Sequence, residues 1–134
     1  CRAWCSVGGR FLPDGKLPMT RYQALLQDVK TRIRETSVEQ LRSGAAPGLL
    51  IDTREPAEWA AGHIPGATLL PRGILEGKIE ELAPDVDQPI VLYCASGGRS
   101  ALAAESLQRM GYRNVLSLAG GFKAWQEAGL PVER

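Results

Sequence analysis

Ile90-Val91-Leu92-Tyr93-Cys94-Ala95-Ser96-Gly97-Gly98-Arg99-Ser100 reads as a strand, a tight loop and the start of a helix. Four apolar residues in a row, two of them β-branched, suit a strand covered on both faces, and Pro89 suits its first position. Beyond the loop, Leu102, Leu107 and Met110 with intervening alanines follow helical spacing. Cys94 is thereby placed between a strand's carboxyl end and a helix amino terminus. The first N–H groups of a helix lack intrahelical partners and carry the positive end of its dipole, so anions are favoured there. Gly97 and Gly98 can take positive φ and curl their amides inward, and Arg99 adds a cation. Thiols in such fields ionise more readily, with pKa values lowered from about 8.5 to roughly 3.5–7.5. The stretch is read as a cysteine nucleophile in an anion cradle.

The flanking sequence repeats the strand–helix alternation. Leu49-Leu50-Ile51-Asp52 is a second buried-strand candidate, followed by Glu55-Pro56 at a helix start. Gly62-His63-Ile64-Pro65-Gly66 breaks that helix, and Ala67-Thr68-Leu69-Leu70 forms a short strand leading into Pro71-Arg72-Gly73. Ile74, Ile79 and Leu82 predict a further helix stopped at Pro84, and Val115-Leu116-Ser117-Leu118 a further strand. Gly120-Gly121 opens a last short helix carrying Phe122 and Trp125. Ser37 and Gln40 stand at capping-box spacing at the head of a short helix. This alternation predicts an α/β domain with a parallel sheet, whose ligands bind at the carboxyl ends of the strands. Cys94, Asp52 and the Arg72 region fall on that edge.

Composition narrows the classes. The chain has 134 residues, 44% of them hydrophobic and 23% charged, with a net charge of +1. That suits one folded domain and gives no electrostatic case for nucleic acid or an anionic membrane as partner. No apolar run approaches the roughly 18 residues of a membrane span. The cysteines, Cys1, Cys5 and Cys94, form neither a disulfide framework nor a zinc spacing, so no metal site is expected and a reducing, cytoplasmic setting is the default. Residues 1–18, rich in glycine and proline, read as a tail or cloning remnant. Tyr22, Leu25, Leu26, Val29 and Ile33 predict an amphipathic helix over about Thr20 to Arg34, within a segment 19–35.

Four motifs, in this order and spacing, resemble the rhodanese (thiosulfate sulfurtransferase) family: Asp52-Thr-Arg-Glu-Pro-Ala-Glu-Trp, Gly62-His-Ile-Pro-Gly-Ala, Tyr93-Cys-Ala-Ser-Gly-Gly-Arg-Ser and Gly120-Gly-Phe-Lys-Ala-Trp. The likeness places the domain at residues 36–132. It implies a three-layer α/β/α fold with a central, mainly parallel five-stranded sheet. It also implies a catalytic Cys94 that carries sulfur as a persulfide, with Ala95, Ser96, Gly97, Gly98, Arg99 and Ser100 as the substrate-binding loop and no metal or organic cofactor. The implied partners are a small donor such as thiosulfate and a thiol or cyanide acceptor, or a sulfur-relay protein that loads a non-catalytic carrier. Related dual-specificity phosphatases and arsenate reductases have one more residue between cysteine and arginine; with four here, sulfur is favoured over a tetrahedral oxyanion.

Other residues receive plainer readings. Arg72 is a candidate for added charge at the pocket mouth. His63, the only histidine, is read as structural, Tyr93 as packing and Trp59 as core. Asp52 is read as positioning loops, and Arg54 as pairing with a nearby carboxylate such as Glu58.

Overall fold

The computed structural model describes residues 19–44 and 48–134 and divides into two units, the second spanning Ile33–Arg134. The expected tail at 1–18 lies outside the described residues. In the first unit, α1 runs Arg21–Lys30, capped by reciprocal bonds between Thr20 and Gln23: Gln23 N donates to Thr20 Oγ1 at 3.0 Å and Thr20 N to Gln23 Oε1 at 2.8 Å. The helix ends sooner than its apolar spacing suggests, because Thr31 and Arg32 bond back three residues, to the carbonyls of Asp28 and Val29.

The second unit holds five strands: β1 Arg34–Thr36, β2 Leu49–Asp52, β3 Thr68–Leu69, β4 Ile90–Tyr93 and β5 Val115–Leu118. Its helices are α2 Val38–Arg42, α3 Pro56–Ala61, α4 Leu75–Leu82, α5 Gly98–Arg109 and α6 Gly121–Glu127, with a 3₁₀ turn at Arg72–Ile74. The strands order as β1-β5-β4-β2-β3, every neighbouring pair parallel. The sheet is thus the parallel one expected, with β4 at its centre and fully buried. Ser37 caps α2 through the predicted box with Gln40, and Pro56 opens α3.

Period-two alternation assigns β4 side chains to opposite faces. Tyr93 and Leu118 join Val38 of α2, Ile64, and Phe122 and Trp125 of α6 in one core cluster. On the other face, α5 packs on β4 and β5 and is itself covered by α4. Small residues, Gly98, Ser100, Ala101, Ala103 and Ala104, form most of the buried stripe of α5 and let it lie close to the sheet. Leu102 and Met110 are only half-buried, and Ile74 stands exposed ahead of α4, whose buried residues are Leu75 and Ile79. Each of those two buried side chains contributes about 1.5–3 kcal/mol of transfer free energy.

Candidate active site

The centre of the sheet delivers Cys94 directly from the carboxyl end of β4. Thr53 fixes that end from the neighbouring strand, its N–H and Oγ1 both donating to Tyr93 O, at 2.9 and 3.0 Å. The chain then turns through Gly97, whose φ of +107° is the left-handed conformation that favours glycine. That conformation aims the Gly97 N–H at Cys94 Sγ, 3.1 Å away. Gly98 takes no positive φ; it begins α5 instead. Of the two glycines, one therefore shapes the cradle and the other starts the helix behind it.

Why the loop holds this shape is answered by α6. Phe122 N donates to Cys94 O at 2.8 Å and Lys123 N to Ala95 O at 3.0 Å, so two otherwise orphaned amides of one helix satisfy the carbonyls of the loop. With those carbonyls held by α6, the Gly97 N–H is the loop amide bonded to the sulfur. The approach is so close that Gly121, at φ +57°, has no room for a side chain: a Cβ there would stand 2.4 Å from Cys94 O and 2.8 Å from Ala95 O. The Gly120-Gly121 pair in the last motif thus belongs to the site, which the sequence reading did not assign. A glycine pair beside a helix start was the signal available for it.

The charged groups near the loop are paired. Arg99 makes a two-pronged ion pair with Glu58 of α3, at 2.8 and 3.0 Å, rather than standing as a free cation. The guanidinium holds the Glu58 carboxyl down at about 2 against an ordinary 4.5. Glu58 in turn raises the Arg99 pKa, with Cys94 a lesser contributor. Arg54 pairs with a nearby carboxylate as expected, that of Asp52 rather than the example Glu58, bonding it through Nε and Nη2 with closest approach 2.7 Å, and donates to Gly62 O at 2.7 Å. Both members of that pair are buried, and the Arg54 guanidinium lies 4.4 Å above the Phe122 ring. Asp52 Oδ1 also accepts the Arg54 N–H at 2.9 Å, the loop-positioning role expected of it.

Two further polar side chains are engaged within the protein. The Ser100 side chain turns into the protein and bonds Ser117 Oγ of β5 at 2.8 Å, both residues fully buried, so it ties α5 to the sheet. Arg72, expected at the pocket mouth, bonds Glu76 at 2.8 Å and Ser106, midway along α5, at 3.1 Å. The 3₁₀ turn sends it sideways onto α5. His63 stacks on Trp59 with ring centroids 3.4 Å apart, and its Nδ1 meets Trp59 O at 3.0 Å, which leaves it structural and Trp59 half-buried rather than core. Tyr93 is packed as expected; its hydroxyl accepts the Ile64 N–H, and burial pushes its pKa up.

Beside the loop opens a cavity of about 300 Å³ lined by Arg54, Glu58, Ala95, Phe122, Lys123 and Gln126, with Ala61 and Gly62. Ala95 puts it one residue from Cys94; Arg72 does not line it.

Comparison with known proteins now bears on this geometry. The family model described as Rhodanese-like domain matches residues 34–128, from β1 through α6. The chain belongs to the rhodanese family. A sulfurtransferase from Allochromatium vinosum is 41% identical over 100 residues, covering 75% of this chain and 92% of that one. Among solved structures, a Rhodopseudomonas palustris protein of unknown function, described as a possible tyrosine phosphatase, superposes with TM-score 0.75 at 35% identity, over 84% of this chain and 93% of its own. The human single-domain sulfurtransferase TSTD1 superposes with TM-score 0.62 at 30% identity, over 69% and 95%. Rhodanese relatives named for sulfur transfer support that class of chemistry for this chain in general. Among the described residues no helix is long and apolar enough to cross a membrane.

Proposed function

We propose that the protein is a sulfurtransferase that carries sulfane sulfur on Cys94, taking it from thiosulfate or a persulfide donor and passing it to a thiophilic acceptor such as cyanide or a thiol. The Gly97 N–H aimed at Cys94 Sγ carries this reading, because a thiolate or the outer sulfur of a persulfide accepts such a bond far better than a neutral thiol. In the first half-reaction the Cys94 thiolate attacks the outer sulfur of thiosulfate. The new S–S bond forms as the donor's S–S bond breaks, and sulfite leaves with the bonding pair. In the second, the acceptor attacks the outer sulfur of the persulfide and Cys94 leaves as thiolate, so electrons balance without an external oxidant.

Phosphate chemistry is the competing reading, and the arginine argues against it. A phosphatase of this loop type needs its guanidinium on the oxyanion, whereas Arg99 is held by both Glu58 oxygens. Four residues between Cys94 and Arg99 also make a small ring.

Intact-protein mass spectrometry of reduced protein, before and after thiosulfate, tests the proposal. A gain of about 32 Da on the wild type and none on Cys94→Ser is expected. Wild type left unchanged by thiosulfate, but loaded by a persulfide-bearing desulfurase, would make the chain a carrier served by a partner protein. No gain from either donor overturns the reading.

A further inference from the structure

Around the cavity beside Ala95, the charges of Arg54, Glu58 and Arg99 are already answered, Arg54 by Asp52 and Gly62 O, Glu58 and Arg99 by each other. Lys123 is different. It lines the cavity, is exposed, and has no carboxylate partner among the described residues. Its place relative to the reactive sulfur is fixed by the main chain, since its N–H is bonded to Ala95 O at 3.0 Å. The cavity therefore has one unanswered positive charge beside an apolar wall of Phe122, Ala61 and Ala95, with the Gln126 amide one turn along α6.

Size adds to this. At about 30 Å³ per water, a volume of about 300 Å³ holds on the order of ten non-hydrogen atoms, about twice those of thiosulfate. The donor alone leaves much of it empty, whereas a short organic thiol would lay its carbon chain on Phe122 and its head group at Lys123.

We propose that this cavity seats the acceptor in the second half-reaction and that Lys123 makes it selective for thiols bearing a carboxylate. The inference rests on the sulfurtransferase reading and specifies its acceptor. The acceptor thiolate attacks the outer sulfur of the Cys94 persulfide, the S–S bond to Cys94 breaks, and the product leaves as an organic persulfide anion. Lys123 touches the carboxylate and takes no proton in the step.

The test starts from protein already carrying the extra sulfur, isolated free of donor, so that loading is separated from acceptance. Discharge is followed by mass with 3-mercaptopropionate, 2-mercaptoethanol and cysteamine, which are anionic, neutral and cationic away from the thiol. Comparing each thiol's rate in Lys123→Gln with its wild-type rate cancels intrinsic nucleophilicity. The expected result is a loss of about three- to fivefold for 3-mercaptopropionate, little change for 2-mercaptoethanol and a gain for cysteamine, with Lys123→Glu moving the anionic and cationic thiols further apart. Equal ratios for all three thiols overturn the inference while leaving sulfur transfer intact. Failure to obtain the loaded protein with any donor overturns the sulfurtransferase reading and this inference with it.

Discussion

Replacing Gly121 with alanine isolates the contact between α6 and the reactive loop. Two costs arise at this position. An L-residue at φ +57° pays about 1–2 kcal/mol for the left-handed conformation. The added methyl would also sit 2.4 Å from Cys94 O, a main-chain atom of the site, so either α6 or the loop must move. Such overpacking costs about 1–3 kcal/mol more. Gly66 supplies the control, because its φ is +86° but a Cβ there meets nothing within 4 Å, so Gly66→Ala pays only the first cost. Thermal unfolding by circular dichroism should place Gly121→Ala below Gly66→Ala by about 1–3 kcal/mol, or about 4–12 °C at roughly 4 °C per kcal/mol. Loading of Cys94 by thiosulfate, measured where both variants are folded, should be slowed in Gly121→Ala alone. Equal melting temperatures and equal loading rates for the two variants would refute the claim that α6 holds the loop.

Two further substitutions probe the charges. Glu58→Gln removes the anchor of Arg99; since both side chains are about 34% exposed, stability at neutral pH should change by less than about 1 kcal/mol while Cys94 loading falls severalfold. The depressed Glu58 pKa means that the pair's contribution is complete above 4.5 and is lost as pH falls through about 2. Urea titrations of wild type and Glu58→Gln should therefore differ by a constant amount above pH 4.5 and converge toward pH 2; a gap that widens on acidification would contradict this assignment. Asp52→Asn leaves the Arg54 cation buried without its carboxylate and should cost about 3–5 kcal/mol in urea unfolding, and a loss under about 1 kcal/mol would mean that Gly62 O alone suffices for Arg54.

The parts legible in the sequence are those whose cause is local. Ile90 to Arg99 announces a buried strand, a turn and a helix start within ten residues, and the structure has all three. The capping box of Ser37 and Gln40 and the Pro56 helix start are equally short-range. β1 was hidden because Arg34-Glu35-Thr36 is polar and two of its three residues are exposed on an edge strand, so neither hydrophobicity nor alternation marks it. Ile33, continuing the apolar spacing of α1, drew the predicted helix over it. Which carboxylates Arg99 and Arg54 take is not legible in the sequence for a related reason. Glu58 lies 41 residues from Arg99 in sequence and meets it only once α3 is docked near α5, while Asp52 reaches Arg54 across a bend that places both carboxylate oxygens on one guanidinium. Phe122 and Lys123 engage Cys94 and Ala95 through main-chain bonds, and Gly121 leaves room for that approach, which no side-chain pattern encodes.

The bonds from Phe122 N to Cys94 O and from Lys123 N to Ala95 O have a consequence for how this site can diversify. They engage backbone atoms only, so the loop is braced whichever side chains it bears at positions 95 and 96. Ser96 is exposed and Ala95 half-buried against the cavity. Those two positions can change in size or polarity at small cost to folding, and each change alters what stands next to the reactive sulfur. The glycines carry the geometry, and the residues between cysteine and glycine are left free to vary beside it.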